Sequence, residues 1–441
     1  MVEIQIPEKV NKIIHTLQEH GYEAYAVGGC VRDSFLGREP MDWDITTSAM
    51  PEETKALFPH TFDTGIEHGT ITVLLDHEGF EVTTYRVDGK YEDSRHPKEV
   101  IFVRNLQEDL LRRDFTINAM AYNEKEGLVD IFGGMDDLRA GIIRCVGNAQ
   151  ARFSEDALRI LRGIRFAAQL GFELEDETRE GMRLLAPTLR KISAERIQVE
   201  LVKTLTSSRP DLLREAWKLG ITKEFLPEFD LAMETTQETV HHMYTVGEHI
   251  LHTLLKVRPD RILCLTMLLH DIGKPYMKTM DADGVAHFKG HPEKSSELAN
   301  EILHRLKFDN DTIRKVTKLV RYHDHRMPVT PAHVRRAVHE IGEDLFPLYL
   351  EVRRADVAAQ SMYQHKEKVA DIDGVEKLYH EIMERKECVS LKMLAVTGKD
   401  LIAAGMKPGK EIGQMLEHFL DLVLEHPELN QKEELLKRIE L

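Results

Sequence analysis

Tyr22-Glu23-Ala24-Tyr25-Ala26-Val27-Gly28-Gly29-Cys30-Val31-Arg32-Asp33 runs from a short apolar stretch through two glycines into a helical pattern, and Asp42-Trp43-Asp44-Ile45 follows. The first stretch reads as strand, turn and helix. Glycines at such a turn let the backbone approach a phosphate, and the N–H groups of a helix start attract anions. If Asp42–Ile45 is a strand, alternation turns Asp42 and Asp44 to one side and Trp43 and Ile45 to the other. Adjacent carboxylates repel unless a cation joins them, so the pair points to Mg²⁺. The plainer alternative is an acidic, solvated edge strand.

Outward from this stretch, residues 7–20 predict a helix with Val10, Ile13, Ile14 and Leu17 on one face, opened by Pro7 and closed by Gly21. Ile71–Leu75 and Glu81–Arg86 carry strand signals, and the mixed region extends to about Gly147. From about residue 152 the chain reads almost entirely as helix. The expected architecture is an α/β head (a mixed sheet with helices, residues 1–147), followed by an all-α neck (148–205), body (206–380) and tail (381–441).

At 441 residues several domains are expected, and 42% hydrophobic against 30% charged residues suffices for folded cores. The longest apolar run, Ile262–Leu269, is far short of the roughly 20 residues that cross a bilayer. The N-terminus has no basic segment leading an apolar one, so no secretory signal is expected. Cys30, Cys145, Cys264 and Cys388 lie more than 100 residues apart without a CxxC pair, which speaks against a disulfide framework or a cysteine zinc site. A cytoplasmic protein is expected. The net charge of −16 taken alone favours a small-molecule enzyme over a nucleic-acid partner. Yet Arg144–Arg165 holds five arginines against only Glu155 and Asp156, a local basic stretch on an acidic chain.

Arg112-Arg113-Asp114-Phe115-Thr116-Ile117-Asn118-Ala119 sets basic, acidic and amide side chains beside an apolar run. Arg113 suits a triphosphate, while Asp114 and Asn118 suit a ribose. With Gly28-Gly29, Arg32-Asp33 and Asp42-x-Asp44 before it and Asp130-x-x-Gly133-Gly134-x-x-Asp137-Leu138 after it, the order resembles the class II tRNA nucleotidyltransferases and bacterial poly(A) polymerases. The resemblance implies Mg²⁺-dependent transfer of a nucleoside monophosphate from a triphosphate to an RNA 3′-hydroxyl, releasing pyrophosphate. Two metals about 3.5–4 Å apart can activate the attacking hydroxyl and clamp the leaving oxygens. Asp42 and Asp44 supply two carboxylates, and Glu81 is the candidate third.

In Glu155-Asp156-Ala157-Leu158-Arg159-Ile160-Leu161-Arg162-Gly163-Ile164-Arg165, helical spacing sets Asp156, Arg159 and Arg162 on one face, continued by Arg165. The unadorned reading is an exposed helix laced with ion pairs. The chemical one is sharper: cytosine and adenine both offer an amino donor beside a ring-nitrogen acceptor, which Asp156 and Arg159 complement. Uracil and guanine reverse that order, and buried mismatches of about 1–3 kcal/mol each would reject them. The pair alone does not choose between C and A. The resemblance makes Glu155, Asp156 and Arg159 a protein template and gives Arg162 and Arg165 triphosphate contacts.

Arg86-Val87-Asp88-Gly89-Lys90-Tyr91-Glu92-Asp93-Ser94-Arg95-His96-Pro97 reads as a loop similar to the one linked to C-to-A switching in CCA-adding members of the family. Its full length favours addition of C, C and A to tRNA from CTP and ATP over poly(A) synthesis or A-only addition. In the body, His249, His270-Asp271 and Asp356 follow the order of the HD phosphohydrolases, with Asp324 the other candidate closing ligand. His291 and His323 could complete a second metal site. This HD region, about 242–358, implies a further divalent metal of unknown identity and phosphatase or cyclic phosphodiesterase chemistry on RNA ends or nucleotides. Gly405-Met406-Lys407-Pro408-Gly409-Lys410 is too short for a P-loop and reads as a turn opening a tail helix, where Lys407 and Lys410 could reach tRNA phosphates. Competing readings are an HD hydrolase with a nucleotide-sensing head, and a tRNA-binding protein whose head is inactive. No membrane or protein partner is inferred.

Overall fold

A computed structural model describes residues 4–88 and 100–439. Its contacts divide the chain into two units, Met1–Pro227 and Glu228–Leu441. The expected head and neck therefore share the first unit, which runs past the boundary drawn at residue 205.

The head is a seven-stranded mixed sheet in the order Thr61–Gly65, Thr70–Leu75, Glu78–Thr84, Ile45–Thr47, Ala24–Val27, Met120–Asn123, Gly127–Asp130. Ala24–Val27, buried along its whole length, lies near the centre and pairs antiparallel with both neighbours. Ile45–Thr47 runs parallel to Glu78–Thr84, with Ile45 opposite Val82. Helix Glu8–Glu19 buries Val10, Ile13, Ile14 and Leu17, the face expected from their spacing. The strand expected across Asp42–Ile45 begins only at Ile45, so the two aspartates lie on the segment entering the sheet, just ahead of the paired residues. Of the charged segment Arg86–Pro97, only Arg86–Asp88, paired with Val100–Phe102, is seen; the rest lies outside the described residues.

The neck holds one close approach. A Cβ on Gly163 would stand 2.1 Å from Met182 Cε and 3.0 Å from Phe115 Cζ, so a larger residue in helix Leu158–Leu170 would have to displace the Met182 end and press on the Phe115 ring. The helix expected to span 155–165 is broken. Ala149–Glu155 ends one helix, Asp156 is extended (φ −138°, ψ 105°), and the next begins at Leu158. Asp156 Oδ1 accepts from Leu158 N at 3.0 Å, so the carboxylate caps the second helix instead of lying on its face.

The second unit is helical apart from the short pairing of Thr279–Met280 with Ala286–His287, which the expectation of helix alone missed. Helix Arg261–Leu269 is buried from Leu263 onward. The boundary drawn at 380/381 falls inside helix His365–Glu384, which continues past it without a proline. Arg335, 4% exposed, pairs with Glu387 at 2.7 Å and donates to the terminal carbonyls Leu424 O and Glu425 O of helix Lys410–Glu425 at 2.6 and 3.1 Å. A cation satisfying orphaned carbonyls thus ties the tail to the body. The tail helix opens at Lys410 as expected, with Lys407 and Lys410 exposed. Among the described residues no helix is long and apolar enough to cross a membrane.

Candidate functional site

In the first unit the segment Arg112–Asn118 is the hub. Gly28 has φ +82°, a conformation that favours glycine, and a Cβ there would meet Arg113 Nη1 at 3.1 Å, so the Arg113 guanidinium packs beneath the Gly28-Gly29 turn. Arg113 is anchored by Asp109 at 3.4 Å, and Asp109 also binds Arg112 at 2.8 Å. Asp42 and Asp44 are exposed. Desolvation raises the Asp44 carboxyl, Arg113 opposes it, and the Asp42 charge adds to the rise. A divalent cation would relieve that crowding, and two exposed carboxylates are the hard oxygen donors Mg²⁺ prefers. Glu81, also exposed, immediately precedes Val82, the register partner of Ile45, so it stands beside Asp44 on the neighbouring strand.

Behind these carboxylates runs a polar ladder. Arg32 binds Asp33 through Nε and Nη2 at 2.9 Å each, and its Nη1 donates to Asn118 Oδ1 at 2.6 Å. Asn118 Nδ2 donates to Asp114 Oδ1 at 3.2 Å, and Arg162 Nε donates to Asp114 Oδ2 at 2.7 Å. Asp114 and Asn118, expected to meet a ribose, are 7% and 6% exposed, and their side chains accept from Arg162 and Arg32 respectively. Arg32, Arg162 and Arg165 all stack on Phe166, at 5.2, 5.3 and 4.2 Å from the ring centroid. Their side chains are 10%, 36% and 9% exposed, so Arg162 is the most open to a phosphate. Arg165, expected on the same face, instead turns inward to Glu200 at 2.9 Å.

Burial alone would raise the Asp114 carboxyl, but Arg162, Asn118 and Arg159 outweigh it and hold it at about 2, below the ordinary 3.8. A depressed carboxylate adds stability above its unfolded pKa and loses it as pH falls through the folded value. The advantage of the native protein over Asp114→Asn should therefore shrink by about 2 kcal/mol between about pH 5 and about pH 2. Urea unfolding of both proteins across that window checks it; a pH-independent difference would sink the assignment.

Asp156 and Arg159 are each held from behind. Asp156 Oδ2 accepts from Arg196 Nη2 at 2.7 Å. Arg159 Nη1 donates to Glu155 Oε2 at 2.7 Å, and its Nη2 to the carbonyl of Arg112 at 2.9 Å. Glu155 also takes Arg152 at 2.7 Å, so it acts as a clamp on Arg159. A carboxylate has about four acceptor sites and a guanidinium five donors, so both residues keep capacity for a base edge. Arg196 and Glu200 escaped the sequence reading. They stand at i,i+4 on helix Ala194–Leu205, and nothing local tells that Arg196 reaches Asp156 and Glu200 reaches Arg165.

The second unit gathers a different cluster. His249, His270 and Asp271 form one potential metal group, and Asp271, His291 and His323 another. Each imidazole turns Nδ1 to a backbone carbonyl: Ala359 at 3.3 Å, Met267 at 2.7 Å, Phe288 at 2.9 Å and Val320 at 2.6 Å, respectively. With Nδ1 turned to a carbonyl, Nε2 is the nitrogen that each ring presents to the cluster. The Nε2 atoms then converge, His249 to His270 at 3.4 Å and His291 to His323 at 3.2 Å. Facing lone pairs repel unless a cation lies between them. Asp271 is buried, with Oδ2 3.4 Å from His270 and 2.7 Å from Lys274 Nζ, and Oδ1 3.3 Å from His291 and 3.4 Å from His323. Imidazole and carboxylate donors of this kind would suit a divalent metal, which His249, His270, Asp271, His291 and His323 would hold.

Asp356 joins the first group at 2.9 Å from His249 Nε2, whereas Asp324 pairs outward with Arg326 at 3.4 Å. Burial would raise Asp271 and Asp356, but Lys274 with His270, and His249 with His270, hold both well below the carboxylate range. Lys274 lies 2.7 Å from Asp271 and is itself bound by Gln237 at 2.9 Å.

A Poly A polymerase head domain model matches residues 24–144, a "Probable RNA and SrmB- binding site of polymerase A" matches 171–233, and a tRNA nucleotidyltransferase domain 2 model matches 290–439. The CCA-adding enzyme of Levilactobacillus brevis is 36% identical over 410 residues, covering 93% of this chain and 91% of that protein. That of Limosilactobacillus reuteri (strain DSM 20016) is 34% identical over 438 residues, covering 98% and 96%. The crystal structure of Bacillus stearothermophilus CCA-adding enzyme in complex with CTP superposes with a TM-score of 0.73 at 28% identity, covering 98% of both chains. Likeness of this extent, over nearly the whole of each chain, shows that the chain belongs to the family of CCA-adding enzymes.

Proposed function

We propose that this protein completes the 3′ end of tRNA, adding C, C and A from CTP and ATP with Mg²⁺ and releasing pyrophosphate. The observation that carries the reading is the hub Arg112–Asn118, which links the turn above Arg113, the base-reading Arg159 and the phosphate-facing Arg162. Asp42 and Asp44, with Glu81 as third carboxylate, would hold Mg²⁺, which supplies activation of the 3′-hydroxyl and charge on the leaving phosphates. Arg162 and Arg113 bind the triphosphate, and Asp156 and Arg159 read the base edge. Lys407 and Lys410 reach tRNA phosphates from the tail. The four buried free cysteines suit a reducing compartment, and we place the activity in the cytoplasm.

The test is tRNA lacking its 3′ CCA, incubated with Mg²⁺ and CTP, ATP or both. Two C residues and one A, then arrest, is the expected outcome. A long A tract, or C addition that never proceeds to A, would overturn it. Asp156→Ala should relax base choice while part of the turnover remains. Arg196→Met should act in the same direction by freeing the carboxylate, losing about tenfold in the CTP-over-UTP ratio of kcat/KM, about 1.4 kcal/mol. Arg196→Lys should restore most of it. Unchanged rejection of UTP in all three would refute the template.

The converging Nε2 atoms favour a second reading beside the first: a two-metal HD centre that hydrolyses phosphate esters of nucleotides or RNA ends. Water oxygen bonds to phosphorus, the ester oxygen leaves with a proton, and an alcohol and inorganic phosphate result. Asp271, His249, His270, Asp356, His291 and His323 would hold divalent metal, which would supply Lewis-acid polarisation of the phosphate and a more acidic water. His270→Ala should abolish phosphate release from p-nitrophenyl phosphate in the presence of Mn²⁺ and remove bound metal measured after gel filtration.

A further inference from the structure

The HD cluster opens into a cavity of ≈460 Å³, and a second cavity of ≈200 Å³ lies alongside it; Asp324, Arg326, Asp356 and Gln360 line both. The seam has a definite chemistry. Gln360 Nε2 donates to Asp356 Oδ2 at 3.0 Å, and Gln360 Oε1 accepts from Lys368 Nζ at 2.8 Å. One glutamine side chain therefore separates a metal-facing carboxylate from an ammonium in the second cavity. Lys368 Nζ also lies 3.3 Å from His241 Nδ1, and among the described residues no carboxylate pairs with it. Arg326 and Arg353, which line the same cavity, share one partner, Asp324, at 3.4 and 3.9 Å. Glu367 and Asp371 line it too, but both are exposed and so weakened by solvent.

A half-buried ammonium with only neutral partners is costly for folding alone, and beside two further cations it is a ready anion site. The geometry points to a second phosphate subsite here, built on Lys368 and Arg326, for the substrate of the HD centre. That substrate then carries two phosphates: one at the metals, where its ester bond is cut, and one held one glutamine away. This rests on the HD reading above and narrows its substrate class. Two sources share the chemistry: a bisphosphate on a single nucleoside, and an RNA end whose preceding phosphodiester fills the subsite.

The full chain with Mn²⁺ should be given p-nitrophenyl phosphate, adenosine 3′-monophosphate, adenosine 3′,5′-bisphosphate and a dinucleotide bearing a 3′-phosphate. At least one of the last two should exceed the monophosphate about tenfold in kcat/KM, and which one does so identifies the source. Lys368→Ala should bring that ratio near one, and Lys368→Arg should restore it. Without metal, calorimetric titration of adenosine 3′,5′-bisphosphate should show a binding event in the native protein that Lys368→Ala lacks; binding at the head is common to both. Should Lys368→Ala not fold, judged by circular dichroism, Arg326→Ala takes its place. Equal kcat/KM for the monophosphate, the bisphosphate and the dinucleotide, or a preference that survives both variants, overturns the subsite. No hydrolysis of any of the four by metal-loaded protein overturns the HD reading itself.

Discussion

Asp44→Asn should lower CCA addition by about 10³-fold or more while leaving the fold intact. The substitution keeps the shape of the side chain and removes its charge. Asp44 is exposed, so no packing is lost; what goes is one of the charged oxygen donors next to Asp42. Charge stabilisation by a metal at a transferring phosphoryl group is worth several kcal/mol, and each 1.4 kcal/mol is a factor of ten in rate. Desolvation raises the Asp44 carboxyl and the Asp42 charge adds to the rise against Arg113, and a cation shared by both carboxylates would offset that repulsion. Single-turnover extension of CCA-lacking tRNA, with circular dichroism as the fold control, checks the loss. Activity within tenfold of the native enzyme at saturating Mg²⁺ would remove Asp44 from the metal site.

The largest effect on stability is expected from Glu200→Ala, about 3–5 kcal/mol. Glu200 and Arg165 are 5% and 7% exposed, and the carboxylate is the counter-charge of a guanidinium stacked on Phe166. Removing it leaves a buried cation that water cannot reach, and desolvation already pulls Arg165 downward. Phe166 also carries Arg32 and Arg162, so loosening its packing disturbs the phosphate-facing guanidinium as well. A drop in the urea midpoint measures the cost. In the double variant Glu200→Ala/Arg165→Met the charge and its partner are both gone, and most of the loss should return. If the double variant is as unstable as the single one, the pair is not what holds the neck.

Local patterns made much of the head legible. The strand, glycine turn and helix at 24–35 follow from residue types, because a positive φ at Gly28 and a fully buried strand leave strong compositional marks. The same holds for the amphipathic face of Glu8–Glu19 and for the turn before Lys410. The break at Asp156 was not legible. No glycine or proline marks it, and the helical spacing of Asp156, Arg159 and Arg162 suggested one continuous face; the extended residue is stabilised by its own carboxylate capping Leu158 and by Arg196, forty residues away. Arg165 read like Arg162 for the same reason, since periodicity fixes a face but not which neighbour covers it.

The sequence alone determined the chemistry available: paired carboxylates behind a glycine turn, an acid–base couple for a base edge, and an ordered set of histidines and aspartates. Such features survive in one dimension because they depend on residue type and short spacing. Only the tertiary structure decided how they are used. It set Asp356 rather than Asp324 beside His249, at 2.9 Å, and joined Asp114 to Arg162 and to Asn118. Directional hydrogen bonds and buried charge require partners from separate helices, and the identity of those partners is set by packing, which no local spacing records.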